Sequence, residues 1–256
     1  MLFARPQVHA AGHDFDEFGL RQPDAAMAEV AQHLGTEHTE LYVTPQAALE
    51  LVPRLPEFYD EPFADSSQIP TYLVSQLARR QVTVSLSGDA GDELFAGYNT
   101  YAMAERFERI AASMPGFFRQ FLAGGMEALG EPLATGAGRP ALVRQMRLAA
   151  HVLRGGGLSD RADRLQTHWQ RGEGLVLGVP HALPPLDLAT AEFANFTTAE
   201  KLMARDLVHY LPDDILVKLD RASMAVALES RVPMLDHRVV EFAWSLPMAL
   251  KRREGQ

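Results

Sequence analysis

Hydrophobic positions in this chain follow two periods, one suited to strands and one to helices. Val82-Thr83-Val84-Ser85-Leu86 is a short β-branched apolar run, and it reads as a buried strand. Glu40-Leu41-Tyr42-Val43-Thr44 reads as another. Pro45 then opens a helix to about Leu55. Residues 57–67 are expected to be a loop. Pro70 stands at a helix start, with Tyr72, Leu73, Leu77 and Ala78 on the apolar face. Upstream, a poorly defined start leads into a helix near 24–34, with Gly35 as its C-cap. Strand–helix–strand alternation of this kind predicts an α/β arrangement with a parallel sheet.

Beyond Asp92 the pattern is almost entirely helical. Helices are expected over 105–130 with an interruption at Pro115-Gly116, then 139–153, 159–172, 187–210 with a break near Asn195, 213–228 and 236–246. The Gly/Pro-rich stretch 130–140 reads as a loop, and Gly155-Gly156-Gly157 as a further break. The reading is one domain: an α/β nucleotide-binding part over about residues 30–100 and a mostly helical part over 101–256.

Composition narrows the function classes. The chain has 256 residues, of which 47% are hydrophobic and 22% charged, enough for a core and too apolar for global disorder. A formal net charge of −9 argues against nucleic acid as the main partner. There is no cysteine, which excludes disulfides, thiolate zinc sites and a cysteine nucleophile and fits a cytoplasmic protein. No apolar stretch approaches the ~18 residues of a membrane span, and Met1-Leu2-Phe3-Ala4-Arg5-Pro6 is too short for a secretory signal. Residues 105–171 carry ten arginines against six acids. That segment reads either as an ordinary solvated surface or as a docking face for an acidic partner.

The strand candidate runs straight into Ser87-Gly88-Asp89-Ala90-Gly91-Asp92-Glu93. Three carboxylates within five residues repel one another unless a cation or strong donors compensate. Open α/β sheets bind ligands at the carboxyl ends of their strands. Mg²⁺ is held by one or two carboxylates together with phosphate oxygens, so a Mg²⁺–nucleotide is the natural partner of such a turn. The competing reading is a helix N-terminus, with Asp89 or Asp92 as cap.

A second constellation runs from Asp213 to Asp236, where charges alternate with large apolar residues. On a helix Asp214 and Lys218 are four apart and able to pair. Lys218, Arg221 and Arg231 are candidates for phosphate or carboxylate contact. The alternative is a buried ion network that orients helices against the sheet. Asp236 reads as a helix cap. No G-x-S-x-G elbow, G-x-x-x-x-G-K-[ST] loop, G-x-G-x-x-G turn or H-E-x-x-H pair is present. Tyr98 is a lone aromatic after Gly97, readable as a site phenol or a wall residue.

At these two segments the chain resembles the synthetase domain of the glutamine-hydrolysing asparagine synthetase family. Leu86-Ser87-Gly88-Asp89-Ala90-Gly91-Asp92-Glu93-Leu94-Phe95-Ala96-Gly97-Tyr98 is similar to that family's S-G-[DE]-G-x-D-E-[LV]-F-x-G-Y signature. Tyr210-Leu211-Pro212-Asp213-Asp214 through Arg231-Val232-Pro233-Met234-Leu235-Asp236-His237 is similar to its second signature, and Glu37-His38-Thr39-Glu40 and Asp60-Glu61-Pro62-Phe63-Ala64-Asp65 match too. The likeness runs from about Val30 to Arg253.

The resemblance implies a parallel sheet of the adenine-nucleotide alpha-hydrolase (ATP-pyrophosphatase) type, incomplete here, with a large helical portion. It implies ATP and Mg²⁺, adenylation of the aspartate side chain, and displacement of AMP by ammonia. Carried over residue by residue, Ser87 and Gly88 contact the nucleotide, with Lys218, read from its own setting, as a further nucleotide-binding candidate. Asp92 holds Mg²⁺–pyrophosphate. Asp89 lies near the amino acid or ammonia, and Tyr98 and Asp213 or Asp214 serve substrate contact or proton transfer. The family's S-G-G-x-D-S loop, its G-K-x-x-L-R segment and its glutaminase domain are missing from this sequence. The expectation is therefore a fragment truncated at both ends, inactive alone, whose ammonia comes from a domain outside it. A homodimer is compatible with the resemblance. Two rivals remain: the same chemistry on a carboxylate of a sugar or peptide, and a non-catalytic helical docking protein.

Overall fold

The computed structural model describes residues 7–12, 15–16, 19–20, 25–135, 149–150, 153 and 193–252. The chain divides into two compact units, Met1–Ala90 with His209–Phe242, and Gly91–Val208 with Ala243–Gln256. Expected helices 139–153 and 159–172, the start of 187–210 and the glycine break at 155–157 lie outside the described residues, apart from positions 149–150 and 153.

In the first unit, β1 (Gln7–Gly12) pairs in parallel with β4 (Glu37–Tyr42), with Gln7 opposite Glu37 and Gly12 opposite Tyr42. Parallel strands need a crossover, and α1 (Ala25–Leu34) supplies it after the two-residue antiparallel ladder of β2 (Phe15–Asp16) and β3 (Gly19–Leu20). Gly35 ends α1 in the left-handed region, φ 64°, and Thr36 N–H reaches back to the Ala31 carbonyl at 3.1 Å. That is the closure expected of a glycine C-cap. The sequence pattern had no signal for β1.

Proline then breaks up the helix expected over 45–55. The Thr44 hydroxyl caps α2 (Pro45–Leu51) by accepting from Ala47 N–H at 3.2 Å. Pro53 and Pro56 cannot continue a helix but are tolerated in a first turn. The chain therefore restarts twice, as a 3₁₀ turn (Val52–Arg54) and as α3 (Leu55–Tyr59). Helix thus occupies the first residues of the expected 57–67 loop, which begins at Asp60 with φ 63°.

α4 (Gln68–Arg79) leads into β5 (Val84–Leu86), which pairs in parallel with β6 (Glu229–Arg231). The buried strand expected over 82–86 is shorter and is not buried. Val82, Val84 and Leu86 are 37%, 40% and 73% exposed. Among the described residues β5 has β6 as its sole strand neighbour, so the two strand faces are not covered as they are inside a doubly wound sheet. The core of this unit lies instead between helices. Leu51, Tyr72 and Ala222, the last on α9 (Leu216–Met224), are buried with Phe58, Ile69, Leu73 and Val226 around them.

In the second unit α5 (Gly91–Phe95), α6 (Asn99–Ala112) and α7 (Gly116–Thr135) follow one another, with the expected break before Gly116. α7 runs on through residues 130–135, where a loop was expected. Of the helix expected over 187–210, the described part begins at Phe193 with a turn, and α8 (Thr198–Val208) starts on a capping box. Thr197 N–H donates to Glu200 at 2.7 Å, and Glu200 N–H to the Thr197 hydroxyl at 3.3 Å. Tyr101, Leu202 and Met203 are buried between α6 and α8, with Tyr98, Phe193, Trp244 and Met248 against them. The described part of the fold is thus a mixed α/β arrangement with small parallel pairs and a large helical portion. None of its helices is long and apolar enough to cross a membrane.

Met203 is fully buried, whereas Phe121 is 74% exposed. Met203→Ala is expected to cost about 2–5 kcal/mol and Phe121→Ser within about 0.5 kcal/mol. Urea denaturation of both variants checks this.

Candidate active site

In the first unit the segment that begins at Asp213 meets both the strand leading to Ser87 and a third segment, the 60–67 loop. His209 and the residues after it wind into one π turn (Leu211–Ile215) that carries Asp213 and Asp214 in its first turn. A π turn is rare and is frequently found at functional sites. α9 follows and carries Lys218 and Arg221. The Lys218 ammonium donates to Asp65 Oδ2 and to Ser67 Oγ, both at 2.7 Å. Ser67 in turn donates to the Asp65 carboxylate through its hydroxyl at 2.7 Å and its backbone N–H at 2.8 Å. The lysine and aspartate side chains are only 12% and 19% exposed.

Burial works to raise the pKa of Asp65, but the hydrogen bonds from Lys218 and Ser67 outweigh it and hold the carboxyl below its ordinary value. Tyr59 completes the cluster. Its hydroxyl donates to the Lys218 carbonyl at 3.3 Å, and its ring stacks on Phe63 at 4.8 Å. Burial, then the charges of Asp65 and Asp214, push its phenol well above the ordinary value. Two of the sequence candidates, Asp214 and Lys218, therefore lie around one buried phenol. The sequence offered Asp214 as the partner of Lys218. The ammonium is engaged by Asp65 and Ser67, 153 and 151 positions away. Sequence reasoning missed that role for them. The signal available was the surplus of cations in 218–231 against the acids of 60–65.

The ion network expected beyond Lys218 is not buried. Arg221 meets Asp60 at 2.9 Å and Arg231 meets Glu229 at 2.7 Å, but all four side chains are at least 47% exposed. Such pairs contribute little to stability. Glu229 and Arg231 belong to a strand, and their spacing of two sets them on one solvent-facing side. Asp236 caps as expected, accepting from Arg238 N–H at 3.0 Å ahead of α10 (His237–Ser245).

Ser87 follows β5 directly, and its N–H donates to the Arg231 carbonyl at 2.8 Å, extending the parallel ladder by one rung. The Ser87 hydroxyl donates to the Asp89 carboxylate. Gly88 is exposed, and a Cβ there would meet nothing within 4 Å, so the backbone is open to a ligand. Ala90 is buried in the left-handed region at φ 70°, a conformation that costs a non-glycine residue roughly 1–2 kcal/mol. It precedes α5, and having no side-chain oxygen it caps nothing.

The second unit begins at Gly91. Asp92 is exposed, whereas Glu93 is 1% exposed. The Tyr98 hydroxyl donates to Glu93 Oε1 at 2.9 Å. Burial raises the Glu93 carboxyl above its ordinary value, with the Asp92 and Asp206 charges adding to this and the hydrogen bonds opposing it. Tyr101 donates to Asp206 at 2.8 Å, and burial pushes its phenol far up. Gly97 is required beside Asp92: a Cβ at position 97 would stand 1.9 Å from Asp92 Oδ1. The three acids of the turn thus have three environments. A serine compensates Asp89, a tyrosine compensates Glu93, and Asp92 faces solvent. Among the described residues no group of three or more His, Cys, Asp or Glu is arranged to hold a metal by itself.

Comparison with known proteins bears on this geometry. The family model described as asparagine synthase matches residues 3–256. The chain is 28% identical over 98% of its length to asparagine synthetase [glutamine-hydrolyzing] 1 of Bacillus subtilis, of which it covers 38%. It is 29% identical over 93% of its length to a putative asparagine synthetase [glutamine-hydrolyzing] of Mycobacterium tuberculosis, of which it covers 35%. A shorter stretch of 90 residues is 43% identical to a putative asparagine synthetase [glutamine-hydrolyzing] 2 of Methanocaldococcus jannaschii. The chain spans little more than a third of the length of the Bacillus and Mycobacterium relatives.

Removing Lys218 strands a largely buried carboxylate, so Lys218→Met is expected to cost about 3 kcal/mol in urea denaturation. Asp65 has a lowered folded-state value against 3.8 for the free side chain. The stability it contributes is therefore present above about pH 4 and is lost as pH falls further through the folded value. Asp65→Asn should flatten that acid limb of the stability–pH curve. At the other motif, Gly97→Ala must turn the exposed Asp92 carboxylate aside and should cost up to about 1 kcal/mol. Adding Asp92→Ala should recover most of the loss, which a double-mutant cycle measures.

Proposed function

The chain belongs to the asparagine synthase family, and on that footing we propose that it is the synthetase part of an ATP-dependent amidotransferase that makes asparagine from aspartate. One observation carries the reading. The Ser87 N–H bonded to the Arg231 carbonyl at 2.8 Å puts the first signature beside the second at the carboxyl ends of two parallel strands. That edge is where open α/β sheets bind ligands. The proposed sheet is of the ATP-pyrophosphatase type.

The chemistry asked of this edge has two steps. An oxygen of the aspartate side chain attacks the α-phosphorus of ATP, the bond to the bridging oxygen breaks, and pyrophosphate leaves. Ammonia then attacks the acyl carbon, the bond to AMP breaks, and the nitrogen gives up one proton. The first step needs the phosphates neutralised and the attacking oxygen aligned. The second needs ammonia kept unprotonated in a site that excludes water.

Ser87 and the open backbone at Gly88 suit contact with the nucleotide. Lys218, held as an ammonium by Asp65 and Ser67, suits the phosphates. Asp89 is proposed to face the amino acid or ammonia. Tyr98 and Asp214 are proposed for substrate contact or proton transfer. Asp92 presents one exposed carboxylate, which fits Mg²⁺, an ion usually held by one or two carboxylates with the rest of its shell from phosphate and water. When bound, Mg²⁺ would neutralise phosphate charge. Ammonia is proposed to come from a glutamine-cleaving domain outside these residues, and the setting to be the cytoplasm.

The test is ATP–pyrophosphate exchange, run on the chain together with the coding sequence that flanks it. Exchange that depends on aspartate and Mg²⁺ is expected. Asp92→Asn should abolish it while the melting temperature stays within a few degrees, because Asp92 is exposed. Exchange driven only by another carboxylic acid would move the acceptor to a different substrate. No exchange with any acid would leave a docking protein on the same scaffold.

A further inference from the structure

The two parallel strands of the first unit have a second end, and it is not featureless. α4 delivers Arg79 and Arg80 just before the chain enters β5, and the turn Val226-Ala227 stands just before β6. Together with Gln76 these residues line an open groove of about 560 Å³. It lies at the amino end of β5 and β6, whereas Ser87 and Gly88 follow the carboxyl end. The three-residue strand β5 separates the two ends by roughly 10 Å.

Among the described residues the lining is one-sided in charge: two guanidiniums, one carboxamide, two apolar side chains and no carboxylate. That is notable in a chain with 33 acids and 24 Lys and Arg. Among the described residues neither arginine has an ion-pair partner. Satisfying nearby helix ends does not occupy them either. The Leu77 and Ala78 carbonyls at the end of α4 accept from the N–H groups of Arg80, Gln81 and Val82 at 2.9–3.2 Å. After α9, the Met224 and Ser223 carbonyls accept from Ala227 and Leu228 at 2.9 and 3.0 Å. Ala227 holds a left-handed conformation, φ 57°, which turns the chain sharply at the groove wall.

We propose that this groove is a second binding site, separate from the nucleotide edge, that takes a small phosphate-bearing anion. Adjacent guanidiniums offer planar forks that match phosphate oxygens two at a time. The Gln76 amide adds a neutral donor, and Val226 gives a short apolar wall. A volume of about 560 Å³ is within the usual range for small-molecule sites. Among the described residues that line the groove there is no extended apolar strip to receive a peptide or a membrane.

Inorganic pyrophosphate is the probe, titrated calorimetrically into the chain in magnesium-free buffer with a chelator present. Saturable binding is expected, weakened about tenfold or more in the double variant Arg79→Gln/Arg80→Gln and unchanged in Arg109→Gln, an exposed arginine of α6. Thermal melts of each variant establish that it is folded, and Arg80→Gln alone, at an exposed position, gives a second reading if the double variant is not. Loss of binding in Lys218→Met with retention in the Arg79 and Arg80 variants overturns the proposal, because the anion is then at the nucleotide edge. Absence of binding overturns it, and equal binding of citrate overturns the assignment to phosphate.

Discussion

The ammonium of Lys218, shared between Asp65 and Ser67, is the contact on which the first unit's arrangement rests. It ties α9 to a loop about 150 residues earlier in the chain. The loop has little apolar material of its own to fix it. What fixes it is a charge held in a place with little water, where an unpaired partner is costly. Tyr59 reinforces the tie by donating to the Lys218 carbonyl, and Gln68, itself buried, donates to the Phe63 carbonyl at 2.9 Å. A network satisfied at each member in this way specifies one geometry more sharply than apolar contact does.

The acidic turn solves a different problem. Asp89, Asp92 and Glu93 are close in sequence, and three like charges on one short turn are unfavourable. The fold separates their environments instead of gathering them around one point. Hydroxyl donors take up Asp89 and Glu93, and burial favours the neutral form of Glu93. Asp92 is left exposed, with Gly97 kept free of a side chain beside it. One accessible carboxylate flanked by two compensated ones is a better partner for a phosphate-chelated cation than three competing acids, because the cation's remaining positions stay open.

Parallel pairing gives β5 and β6 two chemically different ends. The carboxyl end carries hydroxyl, backbone and carboxylate groups from both signatures. The amino end carries arginines that follow a helix C-terminus. In a short strand pair these ends are only roughly 10 Å apart and yet carry different chemistry. The proposed anion groove and the proposed nucleotide edge are thus two consequences of one topology.

Much of this was legible in the sequence. Gly35, Pro45, Pro115-Gly116 and Asp236 marked element ends because glycine, proline and short polar side chains act on the backbone locally. The two signatures carried the resemblance to the asparagine synthase family, which the family match over residues 3–256 bears out. What the sequence did not contain was pairing at a distance. Nothing local distinguishes Glu229-Ser230-Arg231 as a strand until β5 lies beside it, and nothing local tells Lys218 to choose Asp65 over Asp214 four residues away. The same reason explains the one expectation that inverted. Val84 and Leu86 are apolar enough to be buried, but burial is a property of what covers a strand, and only the tertiary arrangement decides that.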